Sequence, residues 1–491
     1  MSVTDSDPSG KSAGPVVKKK PQRFHPATAP EQEAVIEPPS LSSKQKVMRE
    51  LISSETLTRL ARRRSADDER RRKLTCVTFF WMALLAFGPG GFATLHQMIT
   101  FALAAHWRAS VPTARAALSK EAVSENLRER PWQFFADVLE YLLTTYAGLW
   151  RQLAGEPQPL VVERLQVWLI DASIMRVALR LFQQFPARRT GKQPKWAALK
   201  LHLGLRVFQS LPEVLAITPE KQNDHKTGFL RPAGEAVLYI FDLGYWGYHL
   251  FDTILDQGQH LLSRLREDCN PLILAVTEGD PAWVGQRLKS IVLSGRQVDL
   301  RVHLSSHNIA HPQMRHDVRL VGQYVDRDQD WHLYVTSLLD PAVYPVSLLV
   351  DLYRLRWQIE ILFRNLKCVL RIANFVSTTE NGIRIQIYAA LIHYVLTHLV
   401  ILKAMQATGR KFEDFSVPHC LEGVQQVLQH TTQLIGHGVA PDWDELELRL
   451  IEVVVCKGLR PEPQTTASHH RRERAIAAPA AGFGRIALSG H

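Results

Sequence analysis

The sequence predicts an α/β protein with helical segments on either side, and three observations predict it. Apolar runs at residues 167–170 and 237–241 each stop at an aspartate, the pattern of a buried strand delivering a carboxylate. Leu199, Leu201, Leu203, Leu205 and Val207 alternate with other residues at a period of two, as in a strand. From residue 346 to about 370, and again from about 383 to 405, the apolar period is helical instead.

Composition narrows the class of partner. The 491 residues include 59 Lys and Arg against 48 Asp and Glu, a formal charge of +11 with a pI near 9.4. At roughly 150 residues per domain, about three domains are expected. With 46% hydrophobic and 22% charged residues, a chain disordered throughout is excluded, as are collagen, a coiled coil and a disulfide scaffold. The basic excess points to a polyanion. Cys76, Cys269, Cys368, Cys420 and Cys456 lack zinc-site or disulfide spacing and read as buried thiols in a reducing compartment. The apolar run at 76–87 stops at Gly88-Pro89-Gly90-Gly91, short of the roughly 20 residues that span a bilayer. No basic-then-apolar signal opens the chain, so a soluble cytoplasmic protein is expected.

In chain order, residues 1–42 are rich in Pro, Ser, Lys and Glu and read as a tail. Gly10-Lys11-Ser12 within it is no phosphate loop, because Asp5 stands where that motif needs glycine. Lys18-Lys19-Lys20 and the run at 62–73 are of a kind that is usually just solvated charge, and would give only weak support for phosphate contacts in a protein that binds DNA. Residues 43–155 read as a helical N-terminal domain, a DNA-binding one if it holds a helix-turn-helix. Within it, 113–130 offers Ser119 and Ser124 as N-caps of a helix-turn-helix, with a plain helical bundle as the other reading. Residues 160–280 form the first part of an α/β core, with strands at 199–207, 214–217 and 237–241, an amphipathic helix at 249–266 and a strand at 272–276. A β insertion occupies 281–340, with short β patterns at 297–304, 318–325 and 332–336. Residues 341–410 return to the core, 411–458 form a C-terminal helical segment, and 459–491 a second tail.

The segment 351–367 carries the chemistry. Tyr353, Arg356, Glu360 and Lys367 are spaced by three, four and seven, so on one continuous helix they fall within a sector of roughly 60°. Leu352, Leu355, Ile359, Leu362, Leu366 and Leu370 fill a neighbouring sector that would pack on the sheet. An isolated helix of this kind is usually only amphipathic with a solvated face. Combined with Asp171 and Asp242 at strand ends, however, Glu360 completes a set of three carboxylates of the kind that holds two divalent metals for attack on phosphodiesters. Hard oxygen ligands imply Mg²⁺, with Mn²⁺ as a substitute.

Tyr353-x2-Arg356-x3-Glu360-x6-Lys367 resembles the YREK signature of the insertion-sequence-four type of bacterial DDE transposases. The resemblance extends over about residues 163–400 and includes Val167-Trp168-Leu169-Ile170-Asp171, Lys200-Leu201-His202-Leu203 and Asp242-Leu243-Gly244-Tyr245. It implies a ribonuclease-H-like catalytic core interrupted by a β insertion. It also implies that Asp171, Asp242 and Glu360 bind two Mg²⁺ ions, while Tyr353, Arg356 and Lys367 contact transposon-end phosphates. Some relatives stack a flipped base on a tryptophan of the insertion, a place that Trp331 occupies approximately and for which Trp283 is the other candidate. Ala172 departs from the pattern, which more often has Ser or Thr there. The implied partners are double-stranded DNA, as transposon ends and target, and a second copy of the chain in a synaptic complex at the nucleoid, with no membrane. Two other readings stay open: a silent DNA-binding relic or repressor of the same fold, and a metal-dependent nuclease without strand transfer. His307 and His311 read as surface histidines, and Asp224 as a helix cap.

Overall fold

The computed structural model describes residues 54–64, 74–87, 120–154, 165–187, 196–207, 211–304, 314–436 and 443–460. Gly10-Lys11-Ser12, Ser119, His307, His311 and most of the run at 62–73 lie outside these residues.

One nine-stranded sheet organises the chain. Strands β1 (Gln166–Val177), β2 (Ala197–Arg206) and β3 (Leu211–Pro219) run antiparallel, while β4 (Val237–Phe241) and β5 (His260–Arg264) continue the sheet parallel to β1. Parallel neighbours need a crossover, and helix α5 (Tyr248–Asp256) supplies it between β4 and β5. Strands β6 (Leu272–Glu278), β7 (Gln297–His303), β8 (Val318–Val325) and β9 (Asp330–Thr336) form an antiparallel meander whose last strand pairs with β5. The sheet order is β3-β2-β1-β4-β5-β9-β8-β7-β6. Residues 272–276, expected as a core strand, thus stand at the far edge of the meander. All of β4 is buried, and so is nearly all of β2, because both faces of the sheet are covered there.

Helices α1 (Ser54–Arg63), α2 (Cys76–Phe87), α3 (Lys120–Glu129) and α4 (Gln133–Ala154) precede the sheet. Helices α6 (Val346–Arg354), α7 (Trp357–Cys368) and α8 (Glu380–Thr408) follow it, then α9 (Val417–Gly436) and α10 (Trp443–Gly458). Alternate residues of β1 and β2 join the helices on one face, and α5 covers the other. Helix α8 is apolar on all sides, which a core helix must be when neighbours surround it. Its apolar window is long enough for a membrane but wholly buried in protein, against α2, α3, α4, α9 and α10. Its ends are set locally: Thr379 Oγ1 accepts from the Gly382 amide, and Gly409 at φ 66° closes the last turn. Asn381 Nδ2 donates to the carbonyls of Leu127 and Arg130, fastening α3 to the start of α8.

Four local expectations are corrected. The helix at 249–266 stops at Asp256; Gly258 turns the chain at φ 71°, and 260–264 enter the sheet as β5. Two leucines are too short a run to distinguish strand from helix by period alone. The single helix at 346–370 is two, because residues 355–356 bond i to i+3, with the Leu355 and Arg356 amides donating to Leu352 and Tyr353 carbonyls. Ser124 lies inside the continuous helix α3 and caps nothing. Of the five free cysteines, Cys368 and Cys456 are exposed.

The meander is locked to the helices by one buried ion pair. Arg319 on β8 binds Asp299 on β7 bidentately at 2.8 and 2.7 Å, and its remaining nitrogen donates to the carbonyls of Leu338 and Tyr344, just before α6. Removing one partner strands a buried charge, at about 3–5 kcal/mol, whereas replacing both by apolar groups of similar volume is far milder. Asp299→Ala should therefore lower the urea midpoint sharply and Asp299→Leu/Arg319→Met much less; equal losses would mean that the pair is not what locks the meander.

Candidate active site

The site begins where parallel pairing ends. β1 and β4 pair from Gln166↔Val237 to Ile170↔Phe241 and no further. β4 then leaves the sheet at Asp242, which opens a 3₁₀ turn over Leu243–Tyr245. β1 continues to Val177 with only β2 beside it. Asp171 is accordingly not a strand end, as its sequence context suggests, but the residue at which the strand loses its parallel neighbour. The free edge is partly satisfied from within: the Ala172 amide donates to Asp171 Oδ1 at 2.7 Å, and Lys367 Nζ donates to the Ile174 carbonyl at 3.5 Å. Strand alternation puts Asp171 on the same face as Leu169 and Met175, the face that α7 covers.

Electrostatics ties the distant segments together. Burial pushes the Asp171 carboxyl up to about 6; the Ala172 amide and Arg356 pull it down, and the like charges of Asp242 and Glu360 push it up again. Arg356 Nη2 lies 2.7 Å from Glu360 Oε1, with 16% of the arginine side chain exposed and 41% of the glutamate. Burial opposes the guanidinium charge, yet Tyr353, Glu360 and Asp242 hold it above its usual range. The guanidinium also stands 5.8 Å from the centre of the Tyr353 ring, and burial raises the Tyr353 hydroxyl to about 12. Tyr353 is in turn packed by Tyr334 of β9, ring centres 4.8 Å apart.

Asp171, Asp242, Glu360, Arg356 and Tyr353 are thus one charge cluster, and Lys367 is exposed about two turns along α7. The helix break matters here, since Tyr353 closes α6 while Glu360 stands in the first turn of α7. Arg356, expected on an open polar face, is mostly buried, with its Nε unpartnered. Its role as counter-charge to the carboxylates, and the packing of Tyr334, are features the sequence reading missed. Alternation along β9 is the one signal that sets Tyr334 on the helix side.

Three carboxylates are hard oxygen donors suited to Mg²⁺ or Mn²⁺, and the unfavourable crowding at Asp171 is what a divalent cation would relieve. Among the described residues, however, no three His, Cys, Asp or Glu side chains form a ready-made metal cage. The positive charge within the cluster is that of Arg356. Trp331 is half-buried, edge-on to Tyr324 at 5.8 Å, and lies with Leu333 on the sheet face opposite Tyr334 and Tyr353. Trp283 is buried in the core of that same face. Asp224 caps nothing; it accepts from Lys200 Nζ at 2.6 Å.

Residues 163–396 match the family model of the transposase DDE domain. A transposase-like protein of Sinorhizobium fredii is 27% identical over 236 residues, which is 46% of this chain and 61% of that one. The probable transposase for insertion sequence element IS5377 of Geobacillus stearothermophilus is 25% identical over 274 residues, 56% and 65% of the two chains. The transposase for insertion sequence element IS231B of Bacillus thuringiensis is 20% identical over 402 residues, 71% and 79%. The alignments thus span less than two thirds of the first two relatives.

Because folding raises the carboxyl of Asp171 from 3.8 to about 6, its ionised form works against the fold above that pH, and the penalty disappears as pH falls toward 4. In chelator-treated protein, Asp171→Asn should melt a few degrees above wild type at pH 7.5, on the order expected for relieving one unfavourable charge, with the gap shrinking by pH 5. A variant that melts lower than wild type at pH 7.5 would mean that Asp171 is not electrostatically crowded.

Proposed function

We propose that the chain is a DNA transposase, since residues 163–396 match the family model of the transposase DDE domain. On this reading it binds the terminal inverted repeats of its insertion sequence, cleaves the ends and joins them to target DNA. The observation that carries the reading is the charge cluster itself: inside the matched segment, carboxylates 71 and 118 residues apart (242 − 171 and 360 − 242) act on one another beside a single guanidinium. The strand order also supports a ribonuclease-H-like core, with three antiparallel strands continued by two parallel ones and the meander of β6–β9 interposed before α6.

Asp171, Asp242 and Glu360 would hold the divalent cations. When bound, such ions activate a water or 3′-hydroxyl and stabilise the leaving oxygen of a phosphodiester. The chain's own residues do the rest. Arg356 compensates the carboxylates and offers a planar donor fork to a phosphate. The Tyr353 hydroxyl stays protonated at neutral pH and so can donate to a phosphate oxygen. Lys367, held among the described residues by a long contact to a carbonyl, can exchange that partner for the DNA backbone. The basic excess of the whole chain suits double-stranded DNA, and a pair of subunits acting at the nucleoid follows from the need to hold two ends.

Asp171→Ala, Asp242→Ala and Glu360→Ala should each abolish nicking of a supercoiled plasmid carrying the element's ends in Mg²⁺, while end binding stays within a few-fold. Near wild-type nicking by any of the three removes that residue from the set. Lys367→Ala should reduce the salt slope of end binding by roughly one unit without lowering the melting temperature. An unchanged slope with a large loss of melting temperature would make Lys367 structural.

A further inference from the structure

Behind the turn that carries Asp242 lies a buried polar network that the reaction does not use. Lys200 on β2 is buried and donates to the Gln222 carbonyl at 2.8 Å and to Asp224 Oδ1 at 2.6 Å. The other carboxylate oxygen of Asp224 lies on the turn: a Cβ at Gly244 would stand 2.9 Å from Asp224 Oδ2. Any larger residue there, two after Asp242, would press on that carboxylate, which Lys200 holds in place. One residue further, the Tyr245 hydroxyl is 2.7 Å from His202 Nδ1, and His202 Nε2 is 2.9 Å from Thr218 Oγ1.

With the Nε2–H tautomer, His202 donates to Thr218 Oγ1 and its Nδ1 accepts from the Tyr245 hydroxyl, and the Nδ1–H tautomer reverses both directions while keeping both contacts. His202 is fully buried and pairs across the ladder with Ala172, the residue after Asp171. The network therefore touches the turn that follows Asp242 and is paired through the backbone with the strand that bears Asp171. A buried polar group is costly unless satisfied, and a chain of satisfied ones fixes backbone position.

We propose that Asp224 and His202 are positioning residues, which clamp the Asp242–Tyr245 turn through Gly244 and Tyr245 and hold the Asp242 carboxylate in register with Asp171. Neither touches substrate. The proposal rests on the assignment of Asp242 to the metal-binding set. Outer-shell groups of this kind typically change metal affinity or activity by 10–100-fold when altered.

The test uses the full chain, a plasmid bearing the element's ends, and Mn²⁺ alone as the binding probe, read by electron paramagnetic resonance. Asp224→Asn removes the charge and Tyr245→Phe removes one hydroxyl from an otherwise unchanged ring. Each should weaken Mn²⁺ binding and lower the single-turnover nicking rate by about tenfold or more. End-DNA affinity should stay within about twofold for both; the melting temperature should stay within a few degrees for Tyr245→Phe and fall for Asp224→Asn, which leaves buried Lys200 without its counter-charge. Normal Mn²⁺ affinity and normal nicking in both variants would overturn the proposal, as would losses that appear only in step with lost DNA binding and melting temperature. Asp242→Ala serves as the reference. If it nicks normally, the catalytic assignment itself fails and the clamp holds nothing of consequence; if it is dead while both variants work, only the clamp fails.

Discussion

Placing three carboxylates around one mostly buried arginine sets most of what this structure must do. Burial itself penalises the charge on Asp171 and accounts for most of the upward shift of its carboxyl, and the like charges of Asp242 and Glu360 add to it. Arg356 relieves part of it through its contact with Glu360, at the cost of burying a guanidinium whose Nε finds no partner. Such an arrangement persists only if the surrounding packing is strong enough to hold it.

That packing comes from three directions. The parallel pairing of β1 and β4 aligns Asp171 and Asp242 at one end of the sheet, and the early exit of β4 leaves space for both. Helix α7 lies on β1 through Ile359, Leu362 and Leu366, which fixes the height of Glu360 over the strand. From the side, β9 brings Tyr334 against Tyr353, and Arg319 secures the chain that leads into α6. The meander is therefore more than an interposed domain, because its last strand forms one wall of the site.

Much of this was legible in the residues. Apolar runs found β4 to the residue, and the alternation at 199–207 found β2, because burial on known faces leaves a direct pattern. The rest depended on partners distant in sequence. β1 runs past Asp171 because β2 still pairs with it, though Ile174 and Arg176 are exposed and look unlike a core strand. The break at Leu355–Arg356 carries no glycine or proline, so no local signal marks it. Nothing near Arg356 foretells its burial, which follows from Tyr353 and the strands beneath. Asp224 reads as a cap until Lys200, on a strand 24 residues earlier, is seen to reach it.

In the proposed transposase, β1, the end of β4 and α7 share one cation site. Hydroxyl-radical cleavage of the polypeptide by Fe²⁺ substituted for Mg²⁺ measures this directly, because the radicals cut backbone only near the bound ion. Backbone cuts close to Asp171, Asp242 and Glu360 together, suppressed by excess Mg²⁺, are predicted. Cuts at β1 and β4 that spare α7, or cuts scattered elsewhere and indifferent to Mg²⁺, would contradict it.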